Sequence, residues 1–597
     1  MTGLTTPTLT ARLLEHARDR GTDIAMREKH RGVWRQWTWA EYAQRVANVA
    51  AGLRSLGVGP GSRVAVHAEN RPEWVLADLA VQGLGACTVG VYPTSPAAEV
   101  EFVLAHSETE VLIAEDEEQL DKALEVRSRL PLLRHVVVMD PRGLPPDLPD
   151  VMTFADLEAL GGADSLAAYQ ESVATLDPSA TAILVYTSGT TGPPKGAMIS
   201  HINLVAAGQT SVALGAVRDD EVLSYLPLCH VAERLITVVD GVWVGLVVNF
   251  GEGGPSFAND LRDVQPTLFL GVPRVWEKML ATVEIRMADA SRLKRVLYKA
   301  CLRQGRRIAP RRMAGRLTVV DRFVRLVCEL LVFRALREKL GMSRVRSPLS
   351  GAAPIAPQVL EYLWAIGIPV REGYAQTENT AVCTLTPDDD IRLGSVGRAL
   401  PDVEVKIADD GEILTRSAGV FQGYLNDPVA TKATIDEDGW LHTGDVGELD
   451  ADGFLRITDR KKDIIITAGG KNISPSEIEN RLKVSPYVRE AVVIGDRRKY
   501  VTALIGIELD TVGNWASRRG IAYTTYADLS AKEEVVSLIV GVVDETNAEL
   551  AQVERIKRFT LIGKELDHED GELTATQKVK RKAMAQRFAE EIEAMYP

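Results

Sequence analysis

The chain has 597 residues, 46% of them hydrophobic and 25% charged, a balance that fits a globular protein with room for at least two cores. Its formal charge of −13 at pH 7 excludes a general nucleic-acid binder, which needs a basic field, but not a metal–nucleotide site, which needs only local positive charge. The five cysteines (Cys87, Cys229, Cys301, Cys328, Cys383) are scattered without a CxxC pair, which argues against a disulfide framework and for a reducing compartment.

The first residues carry neither the basic nor the apolar region of a signal peptide. The most apolar window, Leu235 to Phe250, is interrupted by Asp240 and is too short to span a bilayer. A cytoplasmic protein is therefore expected, with peripheral membrane contact left open. Thr38 is placed to cap a helix that runs to about Leu56, where Gly57 stops it. Strands are expected at Arg63–His67, Ala86–Val91 and Val111–Ala114, and helices at Trp74–Leu84 and Pro96–His106. That alternation predicts an α/β fold with a parallel sheet covered by helices.

Ala182–Val185 reads as a buried strand leading into Tyr186-Thr187-Ser188-Gly189-Thr190-Thr191-Gly192-Pro193-Pro194-Lys195-Gly196, after which Ser200 is placed to cap a helix. Glycines let backbone N–H groups approach an anion, hydroxyls donate to phosphate oxygens, and lysine adds a positive charge, so this stretch has the makings of a phosphate cradle. It is not a standard nucleotide P-loop. Pro194 stands where that pattern needs glycine before the lysine, and Gly196 stands where it needs a hydroxyl for magnesium.

From Arg286 to Arg346 the character changes: 18 lysines and arginines face four acidic residues, a local charge of about +14. Leucines and valines interleave with the arginines, as in Val319 to Val327, which predicts amphipathic helices. Such a segment is either a solvated helical face or a basic surface that leans on anionic lipid.

Later clusters are individually weak. Ser350-Gly351-Ala352-Ala353-Pro354 and Glu372-Gly373-Tyr374-Ala375-Gln376-Thr377-Glu378 together offer small residues and an aromatic ring for a flat base, a hydroxyl for a phosphate, and a carboxylate for magnesium. Trp440-Leu441-His442-Thr443-Gly444-Asp445 places a carboxylate on a glycine turn, suited to a ribose or to an ordinary Asx turn. Thr458 to Asp463 forms a joint, after which the chain reads as a separate small α+β domain. That domain has a strand at Ile464–Thr467, a Ser474/Glu477 capping box with Pro475 at the first helical position, strands at Ala491–Ile494 and Thr502–Ile507, and a helix over Lys532–Arg555. Leu573 to Arg581 reads by itself as a solvated basic tail.

Taken in order, these pieces resemble the adenylate-forming superfamily, and the likeness extends roughly from Thr38 to Arg581. Within it the chain looks most like the long-chain fatty acyl-CoA synthetases. Leu226-Pro227-Leu228-Cys229-His230-Val231-Ala232-Glu233-Arg234, Gly271 to Lys278, the long basic insertion and Gly469-Gly470-Lys471-Asn472-Ile473 all point that way. One departure is Gln577, where many relatives have glycine before the catalytic lysine; that lysine aligns to Lys578, with Lys580 as the fallback.

The resemblance implies a large N-terminal adenylation domain of several subdomains (residues 1–460, with the basic helical insertion at about 286–346) and a small mobile α+β domain (461–597). It implies two half-reactions in one site: a fatty carboxylate attacks the α-phosphorus of ATP to give acyl-adenylate and pyrophosphate, then CoA takes the acyl group and releases AMP. Glu378 would hold Mg2+, and Lys578, Thr190, Thr377 and His230 would serve the chemistry. Thr187, Ser188, Gly189, Thr190, Thr191, Gly192 and Lys195 would hold the departing phosphates, Ala352, Ala353 and Tyr374 the adenine, and Asp445 and Arg460 the ribose. Lys462 would be the hinge, and Gly469, Gly470 and Lys471 the loop that attends thioester formation. Trp243 and Trp276 are candidate gates of an acyl tunnel. The alternatives are a fatty acyl-AMP ligase that serves a carrier protein, or a ligase for another hydrophobic acid.

Overall fold

The computed structural model describes residues 8–145, 148–187, 193–568, 570–574 and 578–596. An eight-stranded sheet organises the first part of the chain. Its strands Val151–Thr153, His135–Val138, Val111–Ala114, Arg63–His67, Cys87–Val91 and Thr181–Thr187 lie side by side in that order and run parallel. Lys195–Ser200 and Gly423–Tyr424 complete the far edge antiparallel. Cys87–Val91 and Val111–Ala114 are buried at every position, as befits parallel strands covered on both faces.

The helices that cover this sheet start where their caps dictate. Trp39–Ser55 follows a capping box in which Thr38 and Glu41 exchange hydrogen bonds. Pro72–Gly83 is buried all round, with Asp78 and Gln82 carried into the interior. Ser200 caps His201–Ala213 in a second box with Asn203.

Two further sheets complete the α/β part. Leu268–Gly271, Ser347–Ser350 and Arg371–Tyr374 run parallel and are extended by the short antiparallel strands Thr384–Leu385 and Arg398–Ala399. Glu221–Ser224, Val247–Phe250 and Ile24–His30 run parallel, and Val33–Thr38 pairs antiparallel with the last. A four-stranded antiparallel sheet follows: Glu404–Ile407, Glu412–Arg416, Leu441–Leu449, Leu455–Arg460. The basic segment forms helices Arg292–Met313, Val319–Cys328 and Arg334–Lys339, the last two joined by a π-turn at Glu329–Phe333. Among the described residues no helix is long and apolar enough to cross a membrane.

After Arg460 the chain folds around its own apolar clusters, drawn from residues between Ile465 and Tyr596. Val488–Ile494, Val501–Ile507 and Ile556–Leu561 form its sheet, and Ile465–Ile466 pairs with Asn472–Ile473 in a small ribbon. Three local expectations need correction. The helix expected over Lys532–Arg555 ends at Glu549, because the Asn547 side chain bonds both the N–H and the carbonyl of Ile556 and turns the chain into the next strand. Ser474 caps Pro475–Lys483, but Glu477 turns to Arg481 at 2.9 Å instead of closing the box. The residues that flank the Lys578 motif are paired, not a free tail: Leu573 pairs with Val579, and the Thr574 N–H donates to the Lys578 carbonyl at 2.7 Å.

Candidate active site

The glycine-rich stretch that suggests a phosphate cradle joins two antiparallel strands. Thr187 and Lys195 are register partners at the loop end of this hairpin, and the Thr187 hydroxyl reaches the Lys195 carbonyl at 3.4 Å. Ser188, Gly189, Thr190, Thr191 and Gly192 lie outside the described residues. Lys195 is half exposed, with its ammonium 4.8 Å from the centre of the Tyr424 ring and 3.9 Å from Asp427. The strand Gly423–Tyr424 pairs with Lys195–Ser200 and so brings both partners there.

Tyr424 also connects this loop to the next motif, because its hydroxyl donates to Glu378 Oε1 at 2.7 Å. Glu378 lies in the short helical turn Thr377–Asn379, just past the strand Arg371–Tyr374. Its second oxygen has no hydrogen-bond partner among the described residues. Among those residues no group of three or more His, Cys, Asp or Glu side chains can hold a metal ion.

Ser350 and Glu372 are neighbours across a parallel ladder. Gly351 to Ala353 therefore emerge beside Gly373 and Tyr374, beyond the carboxyl ends of their strands, where ligands of open α/β sheets sit. Ala352 and Ala353 are exposed, and Ala352 holds φ +68°, a left-handed conformation that costs a non-glycine residue of order 1 kcal/mol. Glu372, buried beneath them with the Ile355 N–H at 3.5 Å, has its pKa pushed up to about 8 by burial.

Asp445 is the most heavily used carboxylate of the site. It is buried, and its Oδ2 accepts from the Tyr374 hydroxyl and from the Gln376 amide, both at 2.6 Å. Its Oδ1 lies 3.3 Å from Arg460 Nε, its register partner across the Leu441–Leu449 and Leu455–Arg460 ladder. Gly444, at φ +69°, turns the backbone just before it, and the Gly444 N–H donates to Glu412 Oε1 at 2.8 Å.

His230 opens the short helix Val231–Glu233, and its Nδ1 accepts from the Ala232 N–H at 3.2 Å. With Nδ1 committed as an acceptor, the neutral ring carries its proton on Nε2. Burial first, and the charge of Lys578 second, lower the His230 pKa to about 4. The segment that leads to it is pinned from two sides. The Asn70 amide donates to the Leu226 carbonyl at 2.6 Å and accepts from the Leu228 N–H at 3.0 Å. Buried Glu233 accepts from Ser224 Oγ at 2.7 Å and Thr237 Oγ1 at 2.6 Å, and burial raises its pKa to about 7. Behind it Arg234 pairs with Asp78 at 3.1 Å in the fully buried interior.

Lys578 comes from the C-terminal unit. Its side chain is exposed to solvent. The protein packed around it lowers the ammonium pKa to about 8, with Arg460 adding to the effect, while Asp445 and Glu378 pull the other way. One lysine thus experiences Arg460, Asp445 and Glu378 and in turn acts on His230, although these residues all lie more than 100 positions from it in the chain. Lys580, the fallback, is at the N-cap of Arg581–Arg587.

The family is legible at this point. The model of the AMP-binding enzymes matches residues 13–425, and that of the AMP-binding enzyme C-terminal domain matches residues 462–597. The chain belongs to the AMP-binding enzymes. It is similar to the long-chain-fatty-acid–CoA ligase FadD15 of Mycobacterium bovis, 35% identical over 98% of this chain and 96% of that one. It is also similar to the long-chain-fatty-acid–CoA ligase ACSBG2 of Xenopus laevis, 31% identical over 96% of this chain and 82% of that one. Among solved structures it shares its fold with the A domain of a carboxylic acid reductase from Segniliparus rugosus bound to AMP, with a TM-score of 0.73, 19% identity, and coverage of 99% and 95%. An adenylate-forming α/β enzyme with a C-terminal domain is what the motifs anticipated.

Other anticipated residues are not gathered into this cluster. Lys462 is exposed in the turn after Arg460. Gly469, Gly470 and Lys471 are exposed on the small ribbon, where Gly470 takes φ +74° and the local bonds go to Thr467. Trp276 is fully buried and donates to the Gly271 carbonyl at 3.0 Å, and Trp243 packs against the helix His201–Ala213 at Gly208; both are packing residues in this AMP-binding enzyme. Sequence reasoning assigned no role to Gln376, Tyr424, Asn70 or Asp427. Gln376 sits inside a motif it had singled out. Asn70 gives no local signal, because its partners lie more than 150 positions away.

Proposed function

We propose that the protein is an ATP-dependent long-chain fatty acid–CoA ligase, which forms acyl-adenylate and pyrophosphate, then acyl-CoA and AMP. The observation that carries this reading is the junction in which Tyr374 and Arg460 both meet Asp445, at 2.6 and 3.3 Å, with Lys578 of the C-terminal unit acting on His230 through its charge. The names and full-length likeness of the relatives support the fatty-acid and CoA parts.

The first half-reaction has a charge problem: a carboxylate must approach a polyanion while further negative charge gathers on the α-phosphate. Fixed cations and donors are the remedy. In this reading Lys578 neutralises that charge, and Thr190 and Thr377 donate to the phosphate. The Nε2–H of neutral His230 orients the fatty carboxylate. Tyr374 and the Ala352–Ala353 backbone hold adenine, while Asp445 and Arg460 hold the ribose. Thr187, the 188–192 stretch and Lys195 hold the departing pyrophosphate. Mg2+, when bound, supplies positive charge shared with the ATP oxygens. Glu378 would hold it, since one oxygen is fixed by Tyr424 and the other is unpaired, and a single protein carboxylate suits an ion whose other ligands are phosphates and water.

We place the division between the adenylation and mobile domains after Arg460, with Lys462 in the hinge turn, and assign Gly469, Gly470 and Lys471 to thioester formation after the C-terminal domain rotates. The same reading makes the enzyme cytoplasmic, with peripheral membrane contact through residues 286–346. Tunnel depth sets chain preference, since each buried methylene contributes about 0.8 kcal/mol.

Fatty-acid-dependent exchange of pyrophosphate into ATP, followed by addition of CoA across a chain-length series, tests the proposal. Exchange and acyl-CoA formation that both peak with long chains are expected. Adenylate without thioester would move the assignment to a fatty acyl-AMP ligase that serves a carrier protein.

A further inference from the structure

The helix Val319–Cys328 and the turn that continues it are inverted relative to an ordinary surface helix. Val319, Val320, Phe323, Leu326, Leu330 and Leu331 are 82, 65, 66, 54, 67 and 54% exposed. At about 100° per residue these positions form one stripe along the helix. The acidic residue of the same helix points the other way. Asp321 is buried at 1% exposure, where it accepts from Thr318 Oγ1 at 2.8 Å and from Arg311 at 3.0 Å. Six large apolar side chains thus face out and the carboxylate faces in.

The charges around the stripe are also sorted. Asp321 is neutralised inward by Arg311, Glu329 by Arg337 at 2.8 Å, and Asp289 by Arg518 of the C-terminal unit at 2.8 Å. Arg316, Arg322, Arg325 and Arg334 stay exposed, and by helical spacing Arg322 follows one edge of the stripe while Arg325 falls on the opposite side of the helix. The outward field is therefore positive although the whole protein carries −13.

We propose that this stripe is an interfacial anchor: it seats Phe323 and its apolar neighbours at the acyl boundary of an anionic bilayer, with the flanking arginines on the lipid phosphates. This rests on the proposed peripheral membrane contact and narrows it to one helix face. Charge complementarity selects the occupant. An apolar stripe alone would suit a second copy of the chain, but bringing two such basic faces together opposes like charge, whereas an anionic headgroup layer satisfies stripe and arginines together. The anchor also lies near the chemistry. Arg292–Met313, to which Asp321 is tied through Arg311, packs on helix Pro357–Ala365, and that helix begins four residues after Ala353 of the adenine segment. Docking would hold the site at the surface that dissolves its fatty substrate.

Cosedimentation of the full-length enzyme with vesicles of phosphatidylcholine, alone or with phosphatidylglycerol, tests the anchor. Binding to the anionic vesicles at low salt is expected, weakened by salt and about five-fold by R322Q, the equivalent of about 1 kcal/mol per basic residue. The double variant F323S/L326S should weaken it at least as much while pyrophosphate exchange with a short soluble acid is unchanged, which shows that the variant is folded. Absence of binding at low salt, binding indifferent to both variants, or a wild-type dimer that F323S/L326S dissociates would each overturn the anchor. Loss of the ligase reading would appear separately, as no exchange with any fatty acid while vesicle binding persists.

Discussion

Asp445 and Arg460 face each other across an antiparallel ladder, Oδ1 to Nε at 3.3 Å, and Arg460 is the last residue of its strand. The carboxylate proposed for the ribose is therefore tied to the residue just before the proposed joint. Asp445 already accepts from Tyr374 and Gln376, so it is held in place before any ligand arrives. Asp445→Asn keeps the shape and removes the charge that these donors face. It is expected to weaken ATP binding by roughly 10-fold or more, the scale of one lost charged hydrogen bond. Isothermal titration with ATP reads it, and an unchanged affinity would remove Asp445 from the ribose site.

Lys578 has the clearest pH signature. Its pKa is lowered to about 8 by the protein packed around it, with Arg460 adding to the effect. If the ammonium form is the active one, adenylation is supported below that value and lost as pH rises through it. The kcat/KM of pyrophosphate exchange, which reports the free enzyme, should fall above about pH 8, and Lys578→Arg should move that limb upward. Lys578→Ala should reduce adenylation by at least about 100-fold and leave thioester formation from supplied acyl-adenylate largely intact. Equal loss of both half-reactions would count against the assignment.

His230 should show the opposite behaviour. Its pKa lies near 4, so it is neutral across the working range and presents Nε2–H throughout. No acid limb between about pH 5 and 7 should belong to it. His230→Ala is expected to raise the KM for fatty acid roughly 10-fold or more without moving the basic limb, and a limb that vanished in this variant would refute the neutral-donor role.

The two units are clasped by His568, which lies 3.2 Å from Glu99. Glu99 raises the His568 pKa above its ordinary value, with the Leu573 carbonyl adding to the rise. A raised histidine pKa means that the clasp is fully present below the usual imidazole value of about 6.5 and is lost as pH rises through the raised one. Glu99→Gln should therefore favour rotation of the C-terminal domain, lowering adenylation more than thioester formation, with the difference largest at low pH and small above the raised pKa. Parallel assays of the two half-reactions at several pH values decide it.

Arg234 and Asp78 lie in the interior at 1% and 0% side-chain exposure. Asp78→Ala leaves a buried guanidinium without its carboxylate, at a cost of about 3–5 kcal/mol. The thermal unfolding midpoint should drop, and the His230 segment should loosen with it, because Arg234 also holds the Leu228 carbonyl at 3.2 Å.

By itself the sequence determined whatever is local. Thr38 and Ser200 carry their cap signals in their own side chains, Val111–Ala114 is apolar enough to need burial on both faces, and the motifs around Tyr374, Asp445 and Lys195 declare a nucleotide enzyme of the AMP-binding family. Only the tertiary structure decided what depends on distance along the chain. It paired Thr187 with Lys195 on neighbouring strands, bound Glu378 to Tyr424, let Asn70 hold the His230 segment, and turned Asp321 inward beneath an outward apolar stripe. A hydrogen bond or a charge acts over a few ångströms, and the residues that meet at those distances here are separated by tens to hundreds of positions. Local propensity specifies each strand and cap, but which side chains share a cleft follows from how the sheets pack and where the C-terminal unit docks.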